Sequence, residues 1–367
     1  MEELKYLIGI SLIDGVGHIR AKQLIAYLGS AEAVFKEKKE NLLKIPNIGK
    51  KTISNINTNE ILKKAEEEIN FIDRYNIKAF SYLNKNYPKR LKECADSPII
   101  LFSKGNVNFN EKKIISIVGT RKITSEGKKN CEKLIKELKL RNHNVIIVSG
   151  LAYGVDICAH KMALQNSFSN IAVLAHGLDH IYPQKHRDVA KEITRNGALV
   201  TEFSSNAKII GASFVNRNRI IAGLSDATII VESAEKGGSL FTAEFANNYN
   251  REVFAFPGRV NDKYSVGCNR LIKRTKSHLL ESVKDIEYIL RWEKDKDVKK
   301  QLNLNFYLDL KKEEKIIVEI LKEKNSSLEE IAFKSKIKDK KLYTLLLELE
   351  FKDVIKNIPG NIYQILL

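Results

Sequence analysis

Short apolar runs recur through the middle of the chain and alternate with longer stretches in which apolar residues follow a helical period. Runs of this kind, rich in β-branched residues and bounded by glycine or polar residues, are typical of strands buried on both faces. Strands that alternate with helices predict a parallel sheet with helices on both faces and all carboxyl ends at one edge. The six predicted strands are 114–118, 145–148, 171–174, 198–201, 228–231 and 253–256.

The first predicted strand ends in a tight turn, Gly119-Thr120-Arg121-Lys122. Glycine permits the sharp turn, and Thr124 or Ser125 can cap a helix that is predicted to run to about Leu140. Because the backbone N–H groups of a helix N-terminus attract negative charge, the turn and its two cations predict an anion site. The alternative is an ordinary strand-to-helix turn whose cations are solvated.

Small, polar or charged residues follow nearly all of the predicted strands. Ligands of parallel sheets bind outside the carboxyl edge, and small residues there allow a ligand to approach closely. We therefore expect the segments after the strands to form one binding surface. They are 119–121, 149–156, 175–177, 202–204, 232–239 and 257–259.

A polar segment that leads into an apolar helix face carries Phe214, Arg217 and Arg219. We expect the two arginines at the mouth of the carboxyl edge, with the phenylalanine ring as a platform on which a base could stack. A cationic groove with aromatic side chains is how single strands are held without sequence preference. The alternative places the ring in the core and pairs the arginines with Glu232 or Asp226.

Residues 4 to about 70 follow a helical pattern that contains two glycine turns, at 13–24 and 45–53. Both resemble helix-hairpin-helix units, whose turn presents backbone N–H groups to a phosphate while a following lysine adds charge. The alternative is a small helical interaction module that shares only the turn. Prolines and a short apolar run at 82–105 predict an extended segment with one edge strand.

The C-terminal part changes pattern, with predicted helices at about 311–324 and 338–350 and a Ser-x-x-Glu capping box between them. Two short strands, 354–357 and 361–365, follow as a hairpin, which completes the pattern of a winged helix. Such a domain would bind DNA, and the alternative is a protein-docking domain of the same fold. The second helix of its helix-turn-helix would begin with Lys338, Lys340, Lys341 and Tyr343.

These patterns predict an α/β protein of several domains. The predicted regions are a helical helix-hairpin-helix-like module at 1–75, a sheet domain at 80–290, a charged linker at 291–310 and a winged-helix domain at 311–367.

Composition adds a preference for an acidic partner. The formal charge is +17, with 43% hydrophobic and 29% charged residues, which favours nucleic acid first and a membrane surface second. The four cysteines are far apart and the seven histidines form no metal-ligand spacing, so we expect buried reduced thiols, no metal and no cofactor. The sequence shows no signal peptide and no long apolar span, which predicts a cytoplasmic protein without membrane contact.

The combined motifs resemble the DprA/Smf family, DNA-processing proteins of natural transformation, from about residue 82 to 275. The matching strings follow the family order. They include Ile117-Val118-Gly119-Thr120-Arg121, Ser149-Gly150-Leu151-Ala152-Tyr153-Gly154-Val155-Asp156, Gly177-Leu178-Asp179, Tyr182-Pro183, Phe214 with Arg217-Asn218-Arg219, Gly238-Ser239-Leu240 and Pro257-Gly258.

The resemblance implies an extended Rossmann-like domain that binds single-stranded DNA, loads RecA onto incoming strands and forms a homodimer. In the family, the Gly-Ser/Thr-Arg turn contacts phosphate and the Phe-x-x-Arg-Asn-Arg run lines the same groove. Lys122 and Lys236 join these residues because of their place at the predicted binding edge. The expected DNA-binding residues are Gly119, Thr120, Arg121, Lys122, Phe214, Arg217, Asn218, Arg219 and Lys236.

Two positions depart from the family pattern: Gly237 replaces a usual serine, and 273–276 replaces a usual Gly-Ala with mostly cations. These cations could extend the DNA track, or the last helix could pack differently. Two other functions stay open, although we expect the protein not to be an enzyme. One is a nucleotide-binding or base-releasing enzyme of the lysine-decarboxylase-like group, in which Glu244 would assist cleavage of the bond between base and sugar. The other is a transcription factor that acts through the winged helix.

Overall fold

The computed structural model describes residues 2–46, 48–292, 310–352, 354–358 and 361–365. The chain divides into two compact units, with the boundary after Trp292. Most of the predicted linker, residues 293–309, and the predicted hairpin turn at 359–360 lie outside the described residues. Within the described ranges, no helix is both long and apolar enough to cross a membrane.

The first unit begins with six helices, which confirms the helical pattern predicted for residues 4 to about 70. Gly17 and Gly49 stand directly before α2 and α5 in extended backbone, so both glycine turns introduce helices. The helices are α1 (Glu2–Ser11), α2 (His18–Leu28), α3 (Ala33–Lys36), α4 (Lys39–Leu42), α5 (Lys50–Ser54) and α6 (Thr58–Arg74).

A nine-stranded sheet forms the centre of this unit, in the order β1-β2-β6-β5-β4-β3-β7-β8-β9. Strands β3 to β9 pair in parallel, and the chain reverses its direction across the sheet between β3 and β7, as in doubly wound folds. The strands are β1 (Lys78–Ser81), β2 (Ile100–Gly105), β3 (Ile114–Val118), β4 (Ile146–Ser149), β5 (Asn170–Val173), β6 (Gly197–Thr201), β7 (Ala227–Ile230), β8 (Glu252–Ala255) and β9 (His278–Leu279).

The six strands predicted from the apolar runs are confirmed, each within one residue of its predicted ends. Their burial on both faces explains why they lack an alternating polar pattern, since β3 and β4 have no exposed residue. The prediction for 82–105 is wrong about the edge. β2 pairs with β1 on one side and β6 on the other, both antiparallel, so the edge strand is β1.

Helices cover both faces of the sheet, as predicted. On one face α8, α9 and α14 pack against residues such as Ile117 and Ile147; on the other, α11 and α12 pack against residues such as Val118 and Val148. The helices are α7 (Lys89–Lys92), α8 (Ser125–Leu140), α9 (Val155–Gln165), α10 (Arg187–Ile193), α11 (Gly211–Gly223), α12 (Ser239–Asn248), α13 (Val266–Lys273) and α14 (Val283–Ile289).

The N-terminal helices pack onto the sheet region as part of the same unit. Lys22 Nζ donates to Ser97 Oγ over 2.7 Å, and the backbone N–H of Ser205 donates to Glu68 over 2.8 Å. The regions predicted as 1–75 and 80–290 therefore form one compact body.

Within its described residues, the second unit contains three helices and a three-stranded antiparallel sheet, in the strand order β10-β12-β11. Ser327 and Glu330 form the predicted capping box at the start of the middle helix. The elements are α15 (Lys312–Glu323), β10 (Ser326–Ser327), α16 (Leu328–Ser335), α17 (Asp339–Phe351), β11 (Ile355–Ile358) and β12 (Ile362–Ile365).

Candidate nucleic-acid interface

The turn after β3 is fixed between the two neighbouring strand ends. The backbone N–H of Thr120 donates to the Glu232 carbonyl over 2.8 Å, and the Thr120 carbonyl accepts from the Val155 N–H over 3.1 Å. Gly154 has a φ of +78°, and a Cβ there would collide with the Thr120 carbonyl oxygen. This glycine therefore lets the turn close, and Arg121 is left exposed at the rim.

The N-terminus of α8 is capped by Thr124, as predicted, whose Oγ accepts from the Gly127 N–H over 3.1 Å. The predicted external anion site at this helix end is nevertheless wrong. The buried carboxylate of Glu232 lies there, accepting from the Thr124 N–H over 2.9 Å and from the Thr124 hydroxyl. A phosphate at this position would meet a negative charge, so the exposed cations, not the helix terminus, offer the anion contact.

Phe214 lies in the first turns of α11 and is half-buried. The guanidinium carbon of Arg121 lies 5.4 Å from the centre of its ring, within the range of a cation–π contact. The ring of Tyr182 meets it edge to face at 5.8 Å between centroids. The structure thus brings together an arginine and a phenylalanine that are far apart in sequence.

The Arg217 side chain is only 4% exposed, and its guanidinium lies at the carboxyl ends of β4 and β5. Its Nη1 donates to the Gly150 carbonyl over 2.6 Å and to the Val173 carbonyl, and its Nε donates to Asn218 Oδ1 over 3.2 Å. A Cβ on Gly150 would lie 2.5 Å from Nη1, so that glycine makes room for the guanidinium. Burial lowers the pKa of Arg217 to about 10, and the nearby Asp156 carboxylate opposes the shift.

Arg219 does not join this group, because it turns away toward the N-terminal helices. Its Nη2 donates to Glu202, and the Glu202 carboxylate also contacts Nε2 of His18 in α2. Burial acts to raise the pKa of Glu202, but Arg219 and His18 outweigh that effect and the net direction is down. The prediction of Arg219 in an open groove is wrong. The alternative, in which the arginines pair with carboxylates of the protein, is correct for Arg219. Its partner, however, is Glu202 and not Glu232 or Asp226.

The helical period explains the separation of the two arginines. Residues two apart on an α-helix point about 200° apart, whereas residues three or four apart share a face. Phe214, Arg217 and Asn218 therefore lie on one side of α11 and Arg219 lies on the other. This spacing is visible in the sequence and could have separated the two arginines in advance.

The other predicted cations surround the same rim. Lys122 follows Arg121 and is exposed, and Lys236 is exposed in the loop after β7. That loop adjoins α11, because Asn218 Nδ2 donates to the Gly238 carbonyl over 3.4 Å. Among the residues that the structure describes, the side chains of Arg121, Lys122 and Lys236 have no ion-pair partner.

A small cavity of about 70 Å³ lies beside Arg121 and Phe214 at the ends of β3, β4 and β5. Tyr153, Tyr182 and His176 also line it. The predicted binding segments contain Tyr153 and His176, but none of the three is among the predicted DNA-binding residues. Tyr153 lies inside the matching glycine loop and Tyr182 in the matching Tyr-Pro pair, which was the available signal. With these rings, the rim carries aromatic as well as cationic side chains.

A larger cleft of about 1090 Å³ lies between the N-terminal helices and the sheet, on the side of Arg219. Its lining carries more carboxylates than cations, with Asp14, Glu67, Glu68, Asp96 and Glu202 against Lys64, Arg74 and Arg219. Because like charges repel, this cleft does not suit a polyanion. The smaller rim around Arg121 is therefore the better candidate.

A buried polar layer supports the rim from beneath. His160 Nδ1 lies 3.0 Å from Asn170 Oδ1, and burial lowers the pKa of His160 to about 4. The Gly150 N–H donates to the Asp156 carboxylate over 3.2 Å, and burial raises the pKa of that carboxyl. Glu244, considered for an enzyme, is exposed on α12.

Comparison with known proteins matches residues 78–291 to the family described as DNA recombination-mediator protein A. The DNA processing protein DprA of Streptococcus pneumoniae is 39% identical over 195 residues, which cover 53% of this chain and 68% of that protein. Its Bacillus subtilis counterpart is 40% identical over 192 residues, covering 52% and 64%.

Two solved structures are also similar. The X-ray structure of the S. pneumoniae DprA has a TM-score of 0.63 at 31% identity and covers 77% of this chain and 97% of that one. A structure that describes single-stranded DNA binding by the Helicobacter pylori protein has a TM-score of 0.53 at 30% identity, covering 59% and 97%. These matches confirm the resemblance to the DprA/Smf family, and the chain belongs to the DNA recombination-mediator protein A family.

Proposed function

We propose that this protein binds single-stranded DNA along the rim formed by the turn after β3, the N-terminal half of α11 and the loop after β7. The observation that carries the proposal is the guanidinium of Arg121 lying over the ring of Phe214 beside an open cavity. A cation and an aromatic face in one place suit a flexible strand with accessible bases. The H. pylori relative, whose structure concerns single-stranded DNA binding, supports the same assignment.

The predicted site residues divide into two roles on this surface. Arg121, Lys122 and Lys236 are exposed and contact phosphates, while the Phe214 ring contacts a base. The remaining predicted residues do not meet DNA directly. Gly119, Thr120, Arg217 and Asn218 position the contacting residues from behind the rim, whereas Arg219 pairs with Glu202 on the other side of α11.

The family description as a recombination mediator supports a further step. We propose that the DNA-bound protein passes its strand to RecA during transformation, and that it acts as a homodimer through the Rossmann-like domain. Both the net charge and the family favour a cytoplasmic nucleic-acid partner.

For the C-terminal unit we propose a winged helix, supported by the three helices and three short strands that the structure describes there. In α17 the predicted DNA-contacting Lys341 is paired with Glu313 over 2.6 Å, while Tyr343 is 52% exposed. Exposed Leu347 and Phe351 continue the same side of that helix at intervals of four residues. This apolar stripe favours protein docking over DNA contact for the unit.

Fluorescence anisotropy with a labelled dT oligomer tests the DNA-binding proposal. We expect tighter binding to single-stranded than to duplex DNA, and a loss of about tenfold or more in Arg121→Ala. Lys63→Ala is the matched control, because it removes an equal charge from an exposed site on α6. Equal losses in the two variants would show that only net charge matters and would refute the site.

The RecA step has its own test. The parent protein should shorten the delay before RecA assembles on an oligomer covered by single-strand-binding protein, and Arg121→Ala should not. An unchanged delay with a parent protein that binds DNA normally would refute the RecA step alone.

A further inference from the structure

Two cysteines meet where α8 packs against α9. Cys131 lies in the second turn of α8 and is fully buried, whereas Cys158 lies in the first turn of α9 and is half-buried. Both belong to the apolar cluster on one face of the sheet. The Cys131 thiol lies within hydrogen-bond reach of Cys158. The two sulfur atoms are therefore neighbours, although the residues are far apart in sequence.

The other two cysteines have different partners. Cys94 Sγ donates to the Arg90 carbonyl over 3.6 Å, and Cys268 Sγ donates to the Ile230 carbonyl over 3.8 Å. Burial raises the pKa of Cys94 to about 11 and that of Cys268 to about 12, so both remain thiols at neutral pH. Because the thiolate and not the thiol attacks an oxidant, we expect neither of these two cysteines to react.

The surroundings of Cys158 favour its thiolate. The hydrogen bond from the Cys131 thiol lowers the pKa of Cys158. The exposed cations Lys128 and Lys161 act in the same direction, while burial and Glu132 oppose them. Cys158 also lies in the first turn of a helix, where the backbone dipoles favour negative charge. An oxidant that reaches this surface therefore meets the more reactive of the two sulfur atoms first.

We propose that Cys131 and Cys158 form a disulfide when the protein meets a hydroperoxide. The Cys158 thiolate attacks the O–O bond and keeps one oxygen as a sulfenic acid, while the departing alkoxide or hydroxide takes up a proton. The Cys131 sulfur then attacks the Cys158 sulfur, the S–O bond breaks, and the hydroxyl group leaves as water with the proton of the Cys131 thiol. Two thiols are oxidised and one peroxide is reduced.

The cross-link joins the two helices that begin at the rim. α8 follows the turn that carries Arg121, and the start of α9 is tied to that turn because the Val155 N–H donates to the Thr120 carbonyl over 3.1 Å. A disulfide that closes the segment 131–158 restricts the unfolded chain, so the oxidised protein should melt roughly 5–10 °C above the reduced protein. A linked protein that melts no higher would refute this constraint on the helices.

Stoichiometric hydrogen peroxide is the probe, and peptide mapping by mass spectrometry without reductant identifies the product. The parent protein should lose two of its four thiols, counted in denaturant, and gain one peptide pair linked through Cys131 and Cys158. Excess dithiothreitol should restore all of the thiols. In Cys131→Ser the reaction should stop at the Cys158 sulfenic acid, which dimedone traps, and Cys158→Ser should lose no thiol.

Cys94→Ser and Cys268→Ser are the matched controls, because each removes a buried thiol and should leave the linked peptide pair unchanged. Circular dichroism melting checks that every variant is folded. A linked peptide that contains Cys94 or Cys268, or a full set of thiols in folded, peroxide-treated parent protein, would overturn the proposal. So would a covalent link between two chains, seen as a dimer on a gel run without reductant.

Discussion

Replacing Arg217 by methionine separates a positioning role for this side chain from direct contact with DNA. Methionine keeps the unbranched stem but removes the guanidinium, which is buried and donates to the Gly150 carbonyl over 2.6 Å. The Asp156 carboxylate beneath it would then be buried without its compensating positive charge. We expect the variant to lose stability first and DNA affinity only as a consequence.

The magnitude follows from the buried charges. Leaving a buried charge without the opposite charge that compensates it costs about 3–5 kcal/mol, because the remaining charge stays desolvated. The Gly150 carbonyl also loses a hydrogen bond, which adds about 1 kcal/mol. We expect the free energy of unfolding to fall by about 4–6 kcal/mol, and the melting temperature by about 10 °C for a unit of this size.

Thermal unfolding followed by circular dichroism measures the effect, with Arg121→Met as the exposed control that should melt within about 1 °C of the parent. Adding Asp156→Asn to Arg217→Met should recover part of the loss, since the uncompensated charge is removed. A parent-like melting temperature for Arg217→Met would refute the positioning role. So would a double variant less stable than Arg217→Met alone.

Three further predictions follow from other parts of the structure. Burial lowers the pKa of His160 from its usual 6.5 to about 4. Between pH 6.5 and pH 4 the unfolded chain therefore binds more protons at this residue than the folded chain does. Stability should therefore fall by roughly 3 kcal/mol from pH 7 to pH 4, and urea unfolding of His160→Gln should show a decrease smaller by that amount. Replacing Arg121, Lys122 and Lys236 together by alanine should make the slope of log affinity against log salt shallower by about 2, measured by anisotropy; an unchanged slope would remove all three from the phosphate contacts. Ser327→Ala removes the cap at Glu330 of α16 and should destabilise that helix by about 1 kcal/mol, seen as faster amide exchange in its first turn.

The strands could be predicted because their physics is local to the run. β3 at Ile114–Val118 is a sequence of β-branched residues followed by glycine, and both its existence and its ends follow from that pattern. The start of α8 is equally local, since Thr124 caps it through its own hydroxyl. By contrast, β1 was missed because Lys78–Ser81 is short and becomes a strand only by pairing with β2.

The site was only partly predictable. Its composition of glycine, cations and one aromatic ring was visible along the chain, and family motifs named most of its positions. The contact between Arg121 and Phe214 depends on where α11 crosses the carboxyl edge. The closing of the α8 terminus by Glu232 depends on β7 lying beside β3, more than 100 residues away in sequence.

The sequence alone determined the six parallel strands, the helices that alternate with them and the cationic character of the carboxyl edge, since these properties depend on short-range pattern and composition. Tertiary structure decided which charges at that edge are available to a ligand. Arg121 is exposed, whereas Arg217 and Arg219 are held within the protein by backbone carbonyls and by Glu202. The physical reason is that burial and charge pairing depend on groups brought together only by packing of distant segments, and these interactions outweigh the local tendency of an arginine to remain in water.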